Sequence, residues 1–438
     1  MHTICIDFGT SSIRAALRKN RAVHPLKIAP RSQIDNASIP SAIFIPKAGD
    51  EVLFGVNALE RGLAGEPSLL FETSPKAWLS PTNTDALCTA ATPHLPFSRW
   101  LLLAGLLSLA VRDARRAAQR GYELDADSLA YRISHPVWES AERSKMNVAY
   151  DDLRRVACAE IGGQMRYQMT AEEFRRWCIS VDPVQGMRRT DVEVEEPVAA
   201  SLELFPDPPI NRRSAALVVD VGAGTIDLGL FASVVPDKGS KAKRKLIPMA
   251  APRSLFGAGD EIDKALINLV EVKFGSTGGA LLAEFRNGIR RSKEQLFESG
   301  SIVFRNIEVS RQELVKTAAL RGMAGGLKQA IEEMFAEAGE HFKVQLNAPV
   351  HGIGHLDVVF AGGGAKLEFL RALVGSVVSM GTAKLSVRHV EVNTPDDFEV
   401  EASRTRMAVA LGGTTNEKDW PKTEMQEAIV RTLSVPLK

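Results

Sequence analysis

The sequence predicts an α/β protein built as two large halves that open alike. Two observations carry that expectation. Strand-like and helix-like stretches alternate along most of the 438 residues, the pattern of sheets covered by helices. A strand–turn–strand segment near the start also returns in the middle of the chain. Ile4-Cys-Ile-Asp7-Phe-Gly9-Thr10-Ser11-Ser12 runs into an apolar stretch over 13–17, and Leu217-Val-Val-Asp220-Val-Gly222-Ala223-Gly224-Thr225 runs into another over 226–230. The repeat spans almost half the chain, too long a period for a solenoid.

After the first hairpin, apolar alternation predicts short strands over 38–45 and 52–54. A Leu/Ala-rich stretch predicts a helix over 97–119, and 129–134 reads as a strand ending at His135-Pro136. A helix is expected over 140–161, a strand over 177–181, and a helix over 196–204 with Pro197 in its first turn, where the missing N–H costs little. The second half should bring a strand over 245–249 and a helix over 259–274 behind Phe256-Gly257-Ala258-Gly259. A strand over 301–309 should follow. Ser310-Arg-Gln-Glu313 has capping-box spacing and should open a helix running toward residue 338. A buried strand over 356–361 delivers the chain into Gly362-Gly363-Gly364, with a helix over 366–374. Thr394-Pro395-Asp396-Asp397 opens a last helix ending near Gly412.

Composition narrows the classes. Hydrophobic residues make up 45% and charged residues 24%, enough apolar material for substantial cores. A formal net charge of +1 leaves no overall electrostatic footprint for nucleic acid or acidic membranes, and the basic run over 238–245 reads as a solvated loop tip. Cys5, Cys88, Cys158 and Cys178 are scattered without a C-x-x-C, which argues against a disulfide framework or zinc site and for a reducing, cytoplasmic setting. The apolar run over 100–111 is too short to span a bilayer, and the first residues lack signal-peptide character. His351-Gly-Ile-Gly-His355 has metal-like spacing only in a helix, and its glycines favour a loop. No complete P-loop or dinucleotide fingerprint is present.

Each hairpin places an aspartate at the end of an apolar strand and small residues after it. Small residues let the backbone approach a ligand, and successive N–H groups in a tight turn can cradle an anion. Two such turns could clamp a phosphate chain, with Asp7 and Asp220 facing across it. Carboxylates beside phosphates call for a cation, and largely hydrated Mg²⁺ suits oxygen ligands of this kind. The alternative is that both aspartates only cap turns.

These residues carry a family resemblance. Asp7-Phe-Gly9-Thr10-Ser11-Ser12, Asp220-Val-Gly222-Ala223-Gly224-Thr225-Ile-Asp227 and Val359-Phe-Ala-Gly362-Gly363-Gly364 resemble the two phosphate motifs and the adenosine motif of the actin-like ATPase superfamily, in particular the nucleotide-binding domain of the DnaK-type seventy-kilodalton heat-shock chaperones. Ser134-His-Pro-Val-Trp, Glu196-Pro197-Val-Ala-Ala200, Phe256-Gly257-Ala-Gly-Asp and Arg291-Ser-Lys293-Glu match in the same order. The resemblance implies a two-lobed fold of duplicated ribonuclease-H-like domains with a nucleotide cleft between them. Residues 1–204 would form lobe I, 205–392 lobe II, 393–412 a helix returning to lobe I, and 413–438 a tail.

The resemblance also implies roles. Asp7 and Asp220 would hold hydrated Mg²⁺. Gly9, Thr10, Ser11 and Ser12, with Gly222, Ala223, Gly224 and Thr225, would grip the phosphates of ATP or ADP, Thr225 lying near the γ-phosphate. Lys76 would be the catalytic lysine and Glu196 would position water, while Asp227 would steady the turn or a water. Gly257, Lys293, Gly362, Gly363, Gly364 and Lys366 would line the nucleoside side. That side departs from the family: Arg290 stands where a ribose-binding glutamate is usual, Glu294 replaces an arginine, Phe297 a serine, and Lys366 the arginine that stacks on adenine, a contact a lysine makes less specifically. Read without the family, Lys76 could be an ordinary surface lysine, Glu196 a first-turn glutamate with Glu195 as its rival, and Asp227 a structural residue.

The expected activity is slow ATP hydrolysis by a chaperone-like switch. The short stretch after the last matching helix leaves no room for a peptide-binding domain, so the switch would act through a protein partner or co-chaperone. Alternatives are a filament-forming ATPase of the same fold, a small-molecule kinase, or a non-hydrolysing nucleotide-binding scaffold. No nucleic acid and no membrane span are expected.

Overall fold

The computed structural model describes residues 2–29, 37–48, 50–79, 87, 89–92, 95–125, 128–137, 143–158, 164–180, 194–205, 214–234, 245–275, 282, 284–286, 288–338, 355–365, 367, 370, 376–380, 383–390 and 401–415. The chain divides into two compact units. The first is Met1–Glu195 with Gly222–Gly224 and Ala283–Gly288, and the second holds the rest. The boundary therefore falls before Glu196, where the sequence reading put it after residue 204.

In the first unit, strands β1 (His2–Phe8), β2 (Ser12–Lys19) and β3 (Ala22–Pro25) form a meander, with β4 (Ser38–Pro40) also on β2. β5 (Ile43–Pro46), β6 (Glu51–Phe54), helix α1 (Gly55–Leu63) and β7 (Ser68–Glu72) follow, then a 3₁₀ turn (Pro75–Leu79), the ribbon β8 (Ala90–Thr92) and β9 (Leu95–Ser98), and α2 (Arg99–Tyr122). β10 (Leu129–His135), α3 (Arg143–Cys158), β11 (Gln168–Thr170), α4 (Ala171–Ser180) and β12 (Val194–Glu195) complete it. The main sheet runs β12-β10-β1-β2-β3, with β1, β10 and β12 parallel. β1 is buried from Thr3 to Phe8 because both its faces are covered, as central strands of such sheets are. α2 begins where the Ser98 hydroxyl accepts from the Leu101 N–H at 3.2 Å, and it buries Leu102, Leu103, Leu106, Leu107 and Leu109 in the core under the sheet. Each such leucine contributes roughly 1.5–3 kcal/mol over an exposed one.

The expected strand over 177–181 is instead the helix α4, residue 181 lying outside the described residues. Thr170 and Glu173 form a capping box: the Thr170 N–H donates to Glu173 and the Glu173 N–H to the Thr170 hydroxyl, at 2.8 and 3.1 Å. Phe174 and Trp177, one turn apart, are the apolar face it buries.

The second unit opens with α5 (Glu196–Leu204) and continues through β13 (Ser214–Val221), β14 (Thr225–Val234), β15 (Lys245–Pro248), β16 (Arg253–Phe256) and α6 (Ala258–Phe274). Then come α7 (Ile289–Ser299), β17 (Ser301–Phe304), β18 (Ile307–Ser310), α8 (Arg311–Val315), α9 (Ala318–Glu337), β19 (His355–Ala361), β20 (Val377–Met380), β21 (Ala383–His389) and α10 (Glu401–Gly413). Its sheet runs β15-β14-β13-β19-β21-β20, with β16 also on β14. β13, β19 and β21 are parallel. The order of β3-β2-β1-β10-β12 thus recurs as β15-β14-β13-β19-β21, an antiparallel meander continued by two parallel strands. The expected α/β class is observed.

Two expectations are corrected here. Residues 301–309 form a hairpin rather than one strand, because Arg305 and Asn306 both take positive φ, at 51° and 77°, the backbone of a tight two-residue turn. The Ser310 capping box is present, but its helix stops at Lys316, and the Thr317 hydroxyl caps a second helix. α10 packs on α5 so closely that a Cβ at Gly412 would fall on the Ala199 carbonyl oxygen, and Arg404 pairs with Glu203 at 2.8 Å.

Candidate functional site

In the first unit β1 carries Asp7 as its last residue but one; Asp7 is 7% exposed and stands opposite Arg14 in the hairpin. The turn that follows is compact: a Cβ at Gly9 would lie 2.5 Å from the Ser12 carbonyl oxygen. Thr10 and Ser12 are buried and Ser11 half-buried. Ser41, a residue the sequence reading passed over, pins this turn from the β4–β5 connection. Its hydroxyl donates to the Gly9 carbonyl at 2.8 Å and its N–H to the Ser11 carbonyl at 3.0 Å. The Ser12 hydroxyl is buried with no hydrogen-bond partner, a rare state for a polar atom inside a protein and one that calls for explanation. Gly222–Gly224 group with this unit, and a Cβ at Gly224 would stand 3.1 Å from Thr10 Oγ1.

Lys76 sits in the 3₁₀ turn and is 7% exposed. It is no surface lysine. Burying an ammonium needs partners. Glu196, the first residue of α5, is buried, whereas its rival Glu195 is half-buried at the end of β12.

In the second unit Asp220 is the last residue but one of β13, 8% exposed. Cross-strand pairing sets Asp227 directly beside it on β14, and Ser254 beside Asp227 on β16. Two carboxylates opposite each other repel, and Asp227 is steadied by hydroxyl donors on both oxygens. Thr225 Oγ1 donates to Asp227 Oδ2 at 2.7 Å, and Ser254 Oγ donates to Asp227 Oδ1. From β19, parallel to β13, the triple glycine arrives alongside. Gly362 has φ 78°, and a Cβ there would fall on Asp220 Oδ1 and the Val221 carbonyl. The Gly362 N–H is held by the Thr405 carbonyl on α10, and the Gly364 N–H by the Val221 carbonyl. A side chain at Gly364 would strike Val221, while Gly363 faces open space.

Among the residues expected to line a nucleoside, Gly257 caps α6 in the left-handed region at φ 93°. Lys293 is committed to Asp263 at 2.7 Å and to the Gly259 carbonyl at 3.2 Å. Burial holds the Asp263 carboxyl above the usual carboxylate range, with Lys293 pulling against it. Arg290 pairs loosely with Glu294 at 3.7 Å, and Arg406 reaches the same carboxylate at 3.9 Å. Lys366, the HGIGH motif apart from His355, Cys88, the basic run over 238–244, the start of the last helix and the tail beyond residue 415 lie outside the described residues.

Among the described cysteines thiol chemistry finds no support. Burial raises the Cys158 and Cys178 thiols to about 12, far from a reactive thiolate, and Cys5 is the core residue expected. Among the described residues no group of three or more His, Cys, Asp or Glu gathers as a metal site, and no helix is long and apolar enough to cross a membrane.

Compared with known proteins, the chain matches no family model and no curated protein. The resemblance described above therefore rests on the sequence motifs of this chain alone.

Proposed function

We propose that the chain is a member of the actin-like ATPase superfamily, closest in kind to the DnaK-type ATPase domain, and that it works as a slow ATP-hydrolysing switch acting through a protein partner. The repeated sheet order would be the pair of ribonuclease-H-like domains. The observation that carries this reading is the recurrence of one design. The largest sheet of each unit has a meander whose first strand carries a buried aspartate one residue before its end and leads into a turn of small residues, Asp7 with Gly9–Ser12 and Asp220 with Gly222–Thr225.

The residues fit a magnesium nucleotide on grounds of their own. The turn at Gly9 and the glycines at 362 and 364 have no space for a side chain, and the unpartnered Ser12 hydroxyl would gain a phosphate oxygen to donate to. Asp7 and Asp220 would hold water on the metal, a mode that needs few protein ligands. Backbone N–H groups of both turns would hold phosphate oxygens. Bound magnesium would supply charge neutralisation to the phosphates. Lys76 would add positive charge where it develops in transfer, and Glu196 would orient a water, the two needs that dominate phosphoryl transfer. Arg290 and the Lys293–Asp263 pair support a looser grip on the nucleoside than on the phosphates. As a switch, loss of the terminal phosphate would release whatever geometry it had stabilised.

Isothermal titration of the full chain with ATP, with and without Mg²⁺, tests this reading. The wild type should bind ATP more tightly with Mg²⁺. Asp7→Ala and Asp220→Ala should each remove that gain, a loss of at least about tenfold for a missing charged partner. Equal affinity in the wild type and both variants would refute it.

A further inference from the structure

Asp227 has neighbours in register on both sides, and Ser254 is the one that no motif marks. It lies on β16, directly across from Asp227. Its hydroxyl donates to Asp227 Oδ1, as that of Thr225 donates to Asp227 Oδ2. An ionised carboxylate only accepts, so both hydroxyl protons point inward to it. The consequence falls on Thr225. Its single O–H is spent on Asp227, and what it offers outward is a lone pair. A lone pair cannot bind an ionised phosphate oxygen, which has no proton to give; it can accept from a water.

We infer that Ser254 is a positioning residue, which by anchoring Asp227 keeps Thr225 turned as an acceptor toward a water rather than as a donor toward phosphate. This rests on the nucleotide-hydrolysing reading above and sharpens it, by moving Thr225 from gripping phosphate to holding water. Removing Ser254 leaves Asp227, 2% exposed, with one donor fewer on Oδ1 and weakens the hold on the carboxylate that keeps Thr225 turned inward. Ground-state affinity for the nucleotide does not depend on that orientation. The hydrolytic step does.

The test uses the full chain with magnesium ATP, reading the dissociation constant by titration and the single-turnover hydrolysis rate separately. Ser254→Ala should leave the dissociation constant within about twofold and lower the rate by about 10–100-fold, the usual cost of losing an outer hydrogen-bond partner. Ser254→Thr, which keeps the hydroxyl, should restore most of the rate. Thr225→Val should likewise spare affinity and lose rate. A rate unchanged in Ser254→Ala, no rescue by Ser254→Thr, or an affinity loss matching the rate loss overturns the inference while leaving nucleotide binding standing. A thermal-melt double-mutant cycle of Ser254→Ala and Thr225→Val without nucleotide separates the two claims. Non-additive melting shifts in a protein that binds no nucleotide would make the row purely structural and overturn both.

Discussion

Gly362 and Gly363 adjoin, yet the structure asks different things of them. Gly362 has a positive φ and no space beside Asp220; Gly363 has open space and is exposed. Gly362→Ala should therefore cost about 1–3 kcal/mol, the range for a residue held in a region closed to side chains. It should also displace the Asp220 carboxylate. Gly363→Ala should change stability by less than about 0.5 kcal/mol, as surface substitutions do. Urea unfolding of the two variants decides it, and equal losses would count against the close approach. Turn geometry was legible where a strand runs into small residues, as at Asp7, Asp220 and Gly362. Ser41 and Ser254 were not. Each acts through a register or a connection that joins distant segments, which local sequence does not encode.

Short elements were hardest to read, and the reasons are specific. Residues 177–180 are apolar enough for a strand, but their helix is decided upstream by the Thr170–Glu173 box. The turn at Arg305-Asn306 lacks the glycine that signals a hairpin. The Ser310 box was legible because its serine and glutamate carry the standard spacing. There, Glu313 is held far below the usual carboxylate value, at about 2, first by Lys273 and then by the Ser310 N–H. A carboxylate with a depressed folded pKa contributes stability that is present above its unfolded value of 4.5 and is lost as pH falls toward 2. Lys273 comes from the end of α6, 2.7 Å from Glu313. Glu313→Gln keeps the capping geometry and removes the charge, so melts across that interval should show a shallower pH dependence than in the wild type. An identical slope would remove Glu313 as its source. The pair is partly exposed, so added salt should weaken it.

At the scale of the molecule the chain has two compact units. Cores of separate units need not unfold together. Among the described residues the tryptophans, Trp78, Trp100 and Trp177, all belong to the first unit. Tryptophan fluorescence should thus report mainly the first unit, and far-ultraviolet circular dichroism both. The two denaturation curves should not superimpose, and coincident curves would mean a single cooperative body. The α/β class was legible because each sheet announces itself with an apolar hairpin. The division before Glu196 was not, since α5 follows β12 without a break in composition.

α10 grips two things at once. Through the Thr405 carbonyl it holds the glycine turn beside Asp220, and at Gly412 its backbone lies on that of the helix that begins with Glu196. Neither contact has a flexible side chain to absorb a shift. A tug on this last helix would be transmitted like a load through a rigid strut, reaching the acidic end of α5 and the glycine turn together, so a ligand far from either could still be felt at both.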